Sequence, residues 1–497
     1  MSERIANTAL RGKVMSADDA AQFVEHGAKV GMSGFTGAAY PKALPTAIAK
    51  RAKEAHGRGE EFAIDVFTGA STAPDCDGVM AEAEALRYRM PYQSDPTMRN
   101  SINVGTMKYQ DIHLSHSGRQ VASGIFGRFD VTIVEATRIT EDGQLVPSSG
   151  VGNNVEFLDN ADKIIVEVNS WQSLDLEGMA DIYRIEKRKP IPITDVGDRI
   201  GSTTIDIDLD KVVAIVETDL PDRNAPFKPL DDISKQIAGH FLDFLEGEVQ
   251  AGRLTYDGYV MQSGVGNVPN AVMAGLLDSK FTNIKAYTEV IQDGMVDLID
   301  AGKMTVASAT SFSLSPEYAE KMNAEAKRYR EYIITRPLQV SNHPEVIRRM
   351  DLIATNGMIE ADIYGHINST HVGGTRMMNG IGGSGDFTRN GLVSSFISPA
   401  VAKDGAISAV VPFASHVDHT EHDAMVVITE YGYADLRGLA PRDRVPKMIA
   451  IAHPDYRPLL EEYFERAQKD SPMQTPHDVA TALDFHKRLR DNGSMKG

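Results

Sequence analysis

Short apolar runs rich in β-branched residues alternate along this chain with longer amphipathic runs. This alternation is typical of an α/β protein with mostly parallel strands. Strands are predicted at residues 29–32, 63–67, 131–134, 163–168, 259–262, 284–288, 352–354, 409–412 and 424–429. Helices are predicted at residues 41–55, 231–251, 268–277, 316–333 and 458–469.

One pattern occurs twice. KVGMSGFTG begins the first copy (residues 29–71) and YVMQSGVG begins the second copy (residues 259–294), and a proline and an Ala-rich amphipathic run follow each. DVTIVE at 130–135 also resembles DAMVVITE at 423–430. The repeat predicts two similar open α/β domains with mostly parallel sheets, divided in the proline-containing segment 222–230. The predicted domains are residues 1–225 and 226–497, the second with a helical appendage beyond Pro441.

The two copies differ at one position that matters chemically. FTG at 67–69 aligns with YTE at 287–289, so that Gly69 in the first copy corresponds to Glu289 in the second. A carboxylate present in only one copy predicts an active site between the two unlike domains. We expect the small residues 69–71 of the first copy to leave room there for a substrate.

Composition narrows the class of protein. A length of 497 residues fits two or three domains, and a net charge of −18 argues against a nucleic-acid partner, which needs a basic stripe. Cys76 is the only cysteine, which excludes an intrachain disulfide and a cysteine metal cage, and its acidic neighbours disfavour a nucleophilic role. The N-terminus lacks an apolar signal core and no apolar run approaches the roughly 20 residues of a membrane span. We therefore expect a cytoplasmic protein without a membrane segment.

The first candidate site is the segment QSGVGN at 262–267. Gly264 and Gly266 follow a predicted strand and let the backbone turn N–H groups into a crevice at a helix N-terminus, which favours anions. Glu289 would lie at the carboxyl end of a neighbouring strand, where ligands bind in open α/β sheets. The alternative interpretation is a tight turn beside a surface glutamate.

The second candidate is NGIGGSGDF at 379–387, in which Gly380, Gly382 and Gly385 satisfy G-x-G-x-x-G. The context disfavours a dinucleotide site, because the preceding THVGGTRMM is not an apolar strand and no acidic strand end follows at the required distance. A loop that binds an oxyanion or phosphate is the better functional interpretation. A glycine-rich crossover with a purely structural role is the alternative.

The third candidate is SHVDHTEHD at 415–423, which contains His416, His419 and His422. Imidazoles and carboxylates at this density could hold zinc. Their spacing suits a helix turn better than a set of zinc ligands, so a hydrogen-bonded loop beside the cleft is the preferred interpretation and no metal is expected.

Together these segments resemble a known family. The motifs SGFTGAAYP, QSGVGN, YTEVIQDG, ATNGMIEADIYG, MNGIGGSGDF, SHVDHTEHD and ITEYGYADLRG are similar to those of the acetyl-CoA hydrolase/transferase family of CoA-transferases, and most similar to the succinyl-CoA:acetate CoA-transferases. The resemblance covers almost the whole chain, with the motifs in the family's order. It implies two similar open α/β domains with the active site between them.

The resemblance also implies roles for individual residues. Glu289 would be the nucleophile that carries CoA as a glutamyl thioester, with the N–H groups of Val265 and Gly383 forming oxyanion holes. Asn342, Glu430 and, less directly, Arg223 and Ser71 match polar positions around the reacting carboxylates. The implied CoA-contacting residues are Gly264, Val265, Gly266, Asn267, Val268, Asn379, Gly383 and Lys403.

The predicted function is therefore transfer of CoA between succinyl-CoA and acetate. The expected partners are acyl-CoA, small carboxylates and a second copy of the chain in a homodimer, with no nucleic acid and no membrane. CoA would be a substrate and part of a covalent intermediate, and no permanently bound cofactor is expected. Alternatives of the same chemistry are acetyl-CoA hydrolysis and propionyl-CoA:succinate CoA transfer. A nucleotide-binding oxidoreductase and a non-catalytic CoA-binding regulator are the alternatives of other classes.

Overall fold

The computed structural model describes residues 3–224, 226 and 229–496, and its elements confirm an α/β protein with mostly parallel strands. The strands before residue 225 are β1 (Lys29–Met32), β2 (Ile64–Phe67), β3 (Leu86–Met90), β4 (Lys108–Tyr109), β5 (Phe129–Ile139), β6 (Leu145–Pro147), β7 (Ala161–Asn169) and β8 (Val212–Thr218). The α-helices of this part are α1 (Ala17–Ala20), α2 (Leu44–Gly57), α3 (Val79–Glu82), α4 (Pro96–Val104), α5 (Leu114–Ala122) and α6 (Asn154–Asp159).

The rest of the chain continues the alternation of strands and helices. Its strands are β9 (Val260–Ser263), β10 (Ile284–Tyr287), β11 (Val290–Ile291), β12 (Met304–Ala309), β13 (Ser311–Phe312), β14 (Ile333–Thr335), β15 (Ile353–Gly357), β16 (Glu360–Asp362), β17 (Ile367–Asn368), β18 (His371–Val372), β19 (Arg376–Met377), β20 (Val393–Ile397), β21 (Val401–Ala402), β22 (Ile407–Ser408), β23 (Val410–Val411), β24 (Val426–Thr429) and β25 (Gly432–Asp435). Its helices are α7 (Asp232–Gln250), α8 (Asn267–Asp278), α9 (Asp293–Asp300), α10 (Pro316–Ala324), α11 (Ala326–Tyr329), α12 (Leu338–Ser341), α13 (Pro344–Arg349), α14 (Ser384–Asn390), α15 (Pro441–Ala450), α16 (Arg457–Asp470) and α17 (Asp484–Asn492).

The chain divides into two compact units. The first unit contains residues 1–226, 286–299 and 305–350, and the second contains residues 227–285, 300–304 and 351–497. Glu289 and Asn342 therefore belong to the first unit. The predicted domain boundary at Ala225 lies outside the described residues, and the division into domains 1–225 and 226–497 stays a prediction.

The first unit is built on a sheet with the order β4-β3-β2-β1-β5-β7-β8, in which these strands run parallel, while β6 pairs antiparallel with β5. Its central strands are buried along most of their length, as expected of a parallel sheet covered on both faces. One buried cluster joins Val30 and Met32 of β1 to Ile48 of α2, and another surrounds Ile164 and Val166 of β7.

The second unit contains the parallel strands β9, β15, β20 and β24 in that order, with β25 antiparallel to β24. β10 begins beside β9, because the N–H of Lys285 donates to the carbonyl of Tyr259 at 3.1 Å. A buried cluster in this unit includes Met448 of α15, Leu460 of α16 and Phe485 of α17, so the helices beyond Pro441 share the core of the unit.

Several predicted elements have different bounds or partners in the structure. β1 has its predicted bounds, but the helix predicted at 316–333 is wrong at its end, since α11 stops at Tyr329 and β14 begins at Ile333. The predicted equivalence of 130–135 and 423–430 is also wrong. β1 pairs with β5, whereas β9 pairs with β15 and β24 pairs with β20. A buried strand that ends in a carboxylate does not reveal its neighbour in the sheet.

Candidate active site

The loop of the second copy connects β9 to α8 and is open on its outer side. The N–H of Gly264 donates to the carbonyl of Thr355 in β15 at 2.9 Å, which fixes the start of the loop. Gly266 has a φ of 142°, a conformation that favours glycine, and provides no side chain to cap α8. Val265 between them is 51% exposed. The loop therefore presents backbone and a helix N-terminus to its surroundings, as the sequence predicted.

Asn356 joins the end of β9 to α14, the helix that follows the second glycine-rich segment. Its Oδ1 accepts a hydrogen bond from Gln262 Nε2 at 3.3 Å, and its Nδ2 donates to Thr388 Oγ1 in α14 at 3.2 Å. Asn356 is 4% exposed, so these bonds are buried. Sequence reasoning did not single out this residue, although it lies in the ATNG motif that contributed to the resemblance.

The glycine-rich segment 379–385 leads into α14, with Gly383 in the position before the first helical residue. Asn379 Nδ2 donates to the carbonyls of Ser369 at 3.0 Å and Gly380 at 2.9 Å, which anchors the start of the segment. The strand before it, β19, is two residues long and pairs antiparallel with β18. This context differs from the long parallel strand that opens a dinucleotide fingerprint, in agreement with the sequence interpretation.

Glu289 follows the carboxyl end of β10 and precedes β11 in the first unit. Its Oε2 accepts a hydrogen bond from Asn342 Nδ2 at 3.0 Å, and its backbone carbonyl accepts from the N–H of Thr310 at 2.9 Å. The side chain is half-buried, so the carboxylate is oriented and still accessible. Burial raises the pKa of Tyr92 to about 12, and the negative charge of Glu289 adds to that rise. Tyr92 is thus a further group close to this carboxylate, and no motif of the sequence pointed to it.

Two hydrogen bonds position the helix that precedes Asn342. Tyr287 OH, at the end of β10, donates to the carbonyl of Val340 in α12 at 2.6 Å. Gln339 Nε2 donates to the buried Glu156 Oε1 at 2.7 Å. The strand that ends next to Glu289 therefore also holds the helix that supplies its hydrogen-bond donor.

The other first-unit candidates are in different environments. The side chain of Arg223 is 62% exposed, with Nε 3.5 Å from Asp75 Oδ2, and it lines a cavity of about 540 Å³ together with Trp171 and Ser94. Ser71 is fully buried, and its hydroxyl donates to Asp77 Oδ2 at 2.8 Å. Ser71 therefore belongs to a buried network, whereas Arg223 is accessible to a ligand.

The remaining second-unit candidates lie at loop positions. Glu430 follows β24, and its Oε2 accepts a hydrogen bond from the N–H of Ala400 at 2.8 Å. Lys403 is exposed in the turn between β21 and β22 and has a φ of 47°. Within the second unit Asn356 links Gln262, just before the 264–268 loop, to Thr388 of α14, and within the first unit Glu289 and Asn342 lie together.

The first copy does not provide the space predicted at its small residues. A Cβ built at Gly69 would lie 2.8 Å from the carbonyl oxygen of Gly34 and 3.3 Å from Gly152 Cα. The expectation that residues 69–71 leave room for a substrate is therefore wrong at Gly69, because the chain itself occupies that space.

The histidine segment 415–423 forms turns and an isolated bridge at His419, not a helix turn. His416 Nε2 lies 3.3 Å from Asp418 Oδ1, and His419 Nε2 lies 3.1 Å from Ser384 Oγ. The side chain of His422 is 79% exposed. Across the described ranges 3–224, 226 and 229–496, no group of three or more His, Cys, Asp or Glu residues is arranged to hold a metal ion. None of the described helices is long and apolar enough to cross a membrane.

Comparison with known proteins gives consistent matches. The profile of the acetyl-CoA hydrolase/transferase N-terminal domain matches residues 2–217, and that of the C-terminal domain matches residues 319–464. A succinyl-CoA:acetate CoA-transferase of Clostridium kluyveri is 47% identical over 99% of this chain and 92% of that protein.

Other matches share most of their length with this chain. A propanoyl-CoA:succinate CoA transferase of Escherichia coli is 42% identical over 97% of this chain and 99% of that protein. An acetyl-CoA hydrolase of Schizosaccharomyces pombe is 42% identical over 100% of this chain and 98% of that protein. The crystal structure of RipA from Yersinia pestis has the same fold, with a TM-score of 0.71 at 23% identity over 92% of this chain and 97% of that one.

Proposed function

The chain belongs to the acetyl-CoA hydrolase/transferase family, and on that basis we propose that it transfers CoA between succinyl-CoA and acetate. The observation that carries the proposal is the Glu289 carboxylate at the carboxyl end of β10, oriented by Asn342 at 3.0 Å. The similarity to the Clostridium kluyveri succinyl-CoA:acetate CoA-transferase supports the choice of substrates.

A glutamate suits this reaction because it is ionised at neutral pH without an auxiliary base. Glu289 attacks the thioester carbonyl of the acyl-CoA, and the C–S bond breaks to give a mixed anhydride and CoA thiolate. The thiolate attacks the Glu289 carbonyl carbon, which releases the first carboxylate and leaves a glutamyl-CoA thioester. The second carboxylate attacks that thioester to give a new anhydride and thiolate, and the thiolate then takes the acyl group and frees Glu289.

Each attack passes through a tetrahedral oxyanion, which is where catalysis is required. We assign the N–H groups of Val265 and Gly383 as donors to these oxyanions. Loss of one such preorganised donor typically costs about 3 to 4 kcal/mol. One thioester replaces another, so the overall reaction is nearly isoenergetic and needs no ATP. Water has to be kept from the anhydride and the thioester, since both hydrolyse.

The remaining residues are proposed to bind the substrates. CoA contacts residues 264–268, with Asn379 and Lys403, while Arg223 and Glu430 face the carboxylates of the acyl donor and acceptor. The accessible guanidinium of Arg223 supports its part in this assignment. We further propose that the protein acts in the cytoplasm as a homodimer.

Intact mass spectrometry tests the nucleophile directly. Incubation of the protein with succinyl-CoA and no acceptor should add the mass of CoA less one water, and addition of acetate should remove it with formation of acetyl-CoA. Glu289→Ala should form no adduct, whereas Glu331→Ala, at a carboxylate whose side chain is 74% exposed in the same unit, should form it normally. An adduct that persists in Glu289→Ala contradicts the proposal.

Acetyl-CoA hydrolysis is the second candidate, because the Schizosaccharomyces pombe relative with that name matches the entire chain. If the protein is a transferase, acetyl-CoA should be consumed only slowly without an acceptor, and succinate should convert it rapidly to succinyl-CoA and acetate without release of free thiol. Rapid release of free thiol from acetyl-CoA in the absence of any carboxylate favours the hydrolase. Propionyl-CoA as donor, with succinate as acceptor, tests the activity named for the Escherichia coli relative.

A further inference from the structure

His419 lies beside the glycine-rich segment and away from solvent. It is 3% exposed, and its Nε2 lies 3.1 Å from the hydroxyl oxygen of Ser384, the first residue of α14. Ser384 directly follows Gly383, to which the proposed function assigns an oxyanion donor. The imidazole therefore contacts the residue next to a proposed catalytic N–H.

The direction of this hydrogen bond follows from the hydroxyl group. Ser384 Oγ donates its single proton to the carbonyl of Ile381 at 3.0 Å, so it can only accept from His419. Nε2 of His419 therefore carries a proton and donates. These two hydrogen bonds, from His419 to Ser384 and from Ser384 to Ile381, are called the relay below. The relay connects the two ends of the turn that contains Gly382 and Gly383.

The imidazole is itself held in place. Its ring centroid lies 5.0 Å from that of Phe396 in β20, and the backbone of His419 exchanges hydrogen bonds with Ile367, N–H to carbonyl in both directions, at 3.1 and 2.8 Å. A ring fixed by backbone and aromatic contacts is a rigid donor.

The same scaffold holds the other end of the glycine-rich segment. Asn379 donates to the carbonyl of Ser369, and the N–H of Ser369 donates to Asp418 Oδ2 at 2.7 Å. Asp418 and His419 are adjacent in the chain, so one short segment supports both ends of residues 379–384.

We propose that His419 is a positioning residue that fixes the turn at 381–384 through Ser384 and so holds the Gly383 N–H toward the reacting carbonyl. This role rests on the proposed function of Gly383. It separates His419 from its neighbours in the histidine segment, since His416 contacts Asp418 and His422 is mostly exposed.

Steady-state kinetics test the role. His419→Phe removes the donor and keeps an aromatic ring, and should lower kcat at least roughly tenfold with little change in the KM for acyl-CoA, because transition-state donors act on kcat. His419→Gln can present a donor N–H near the position of Nε2 and should recover most of kcat. His422→Gln is the matched control and should retain the activity of the unchanged protein. Equal activity of His419→Phe and the unchanged protein, or equal loss in His419→Phe and His419→Gln, overturns the proposal.

Ser384→Ala tests the relay if His419→Phe does not fold, and a double-mutant cycle tests it further if both variants fold. Ser384→Ala alone should lower kcat to a similar extent, and in a folded double variant the two losses should not add, since both changes break one relay. Fully additive losses, or an active Ser384→Ala, contradict the relay.

Hydrogen exchange separates this proposal from the proposed function. Amide exchange in 381–385 should be faster in His419→Phe and Ser384→Ala than in the unchanged protein, whatever reaction the protein catalyses. Unchanged exchange overturns the positioning role. Absence of a CoA adduct on the unchanged protein overturns the proposed function. The exchange measurement does not depend on adduct formation, so the two proposals can fail separately.

Discussion

The two copies of the repeat share a strand, a glycine-rich loop and a helix, yet the first loop is packed and the second is open. In the first copy, a Cβ built at Gly34 would lie 2.7 Å from Tyr40 Cβ, and one built at Gly37 would lie 2.3 Å from the carbonyl oxygen of Arg223. The chain also ties this loop down, because the N–H of Arg223 donates to the carbonyl of Gly37 at 2.7 Å. The glycines of the first copy permit close packing of backbone on backbone.

In the second copy, the nearest described atom to a Cβ built at Gly264 is the carbonyl oxygen of Thr355 at 3.5 Å, and at Gly266 it is Pro269 Cδ at 3.8 Å. These are ordinary contacts, so the glycines here serve backbone conformation and access. Similar local sequences thus form a packed structural turn in the first copy and an open loop in the second. The difference depends on what the rest of the chain packs against each loop.

A polar residue near the start of the helix in each copy shows the same contrast. Lys42, after Pro41, is fully buried and pairs with Glu135 at 2.6 Å and Asp222 at 2.8 Å. Asn270, after Pro269, has an Oδ1 without a hydrogen-bond partner within the described part of the chain. The first copy is thus closed by an internal ion cluster.

The largest effect is expected from Lys42→Met. Removal of the ammonium leaves two carboxylates buried without their partner, which typically costs about 3 to 5 kcal/mol. The free energy of unfolding from urea titration should fall by this amount, and adding Glu135→Gln should restore part of it. An unchanged unfolding midpoint would show that the first copy does not depend on the cluster for its closure.

Gly37→Ala should be the next most damaging change. A methyl group at 2.3 Å from the Arg223 carbonyl oxygen forces the two backbones apart, at an expected cost of about 3 kcal/mol in unfolding free energy. Thermal unfolding checks this, with Gly57→Ala as the control because a Cβ there meets no atom of the described residues within 4 Å. Equal stability of the two variants would contradict a tightly packed first loop.

Gly266→Ala should affect ligand binding more than packing. Its φ of 142° disfavours a side chain by about 1 to 3 kcal/mol, so the loop should relax into another conformation. We expect the KM for acyl-CoA to rise by more than roughly tenfold, with a small change in thermal stability. Gly264→Ala, at a φ outside the left-handed region, should change both less; the reverse order would contradict the assignment of the open loop to CoA.

Asn342→Ala should have the smallest effect of the four. It removes one hydrogen bond to the Glu289 carboxylate, worth about 1 to 2 kcal/mol, and should slow formation of the CoA adduct roughly tenfold without preventing it. Stopped-flow mixing followed by intact mass spectrometry measures this rate. An unchanged rate would mean that Asn342 does not orient the carboxylate for attack.

Local sequence predicted those features that depend on neighbouring residues. β1, the turn after β9 and the placement of Glu289 at the end of β10 all follow from an apolar run that stops at small or polar residues. Contacts between distant residues could not be predicted in this way. Asn356 bonds to Thr388 across 32 residues, and His419 bonds to Ser384 across 35. Their partners are set by the order of strands in the sheet, which the apolar pattern leaves open.

The N-terminus of α2 in the first copy bears on the number of ligands that the chain can bind. Glu167 of β7 is buried, and its carboxylate accepts the N–H groups of Lys42, Ala43 and Leu44 at 2.7 to 3.0 Å, where α2 begins. The chain thus supplies its own anion to the first helix N-terminus, the place where a phosphate would otherwise bind. At α8 the cap position is occupied by Gly266, which has no side chain to take the place of such an anion. We expect calorimetric titration to give one CoA per chain despite the duplicated architecture.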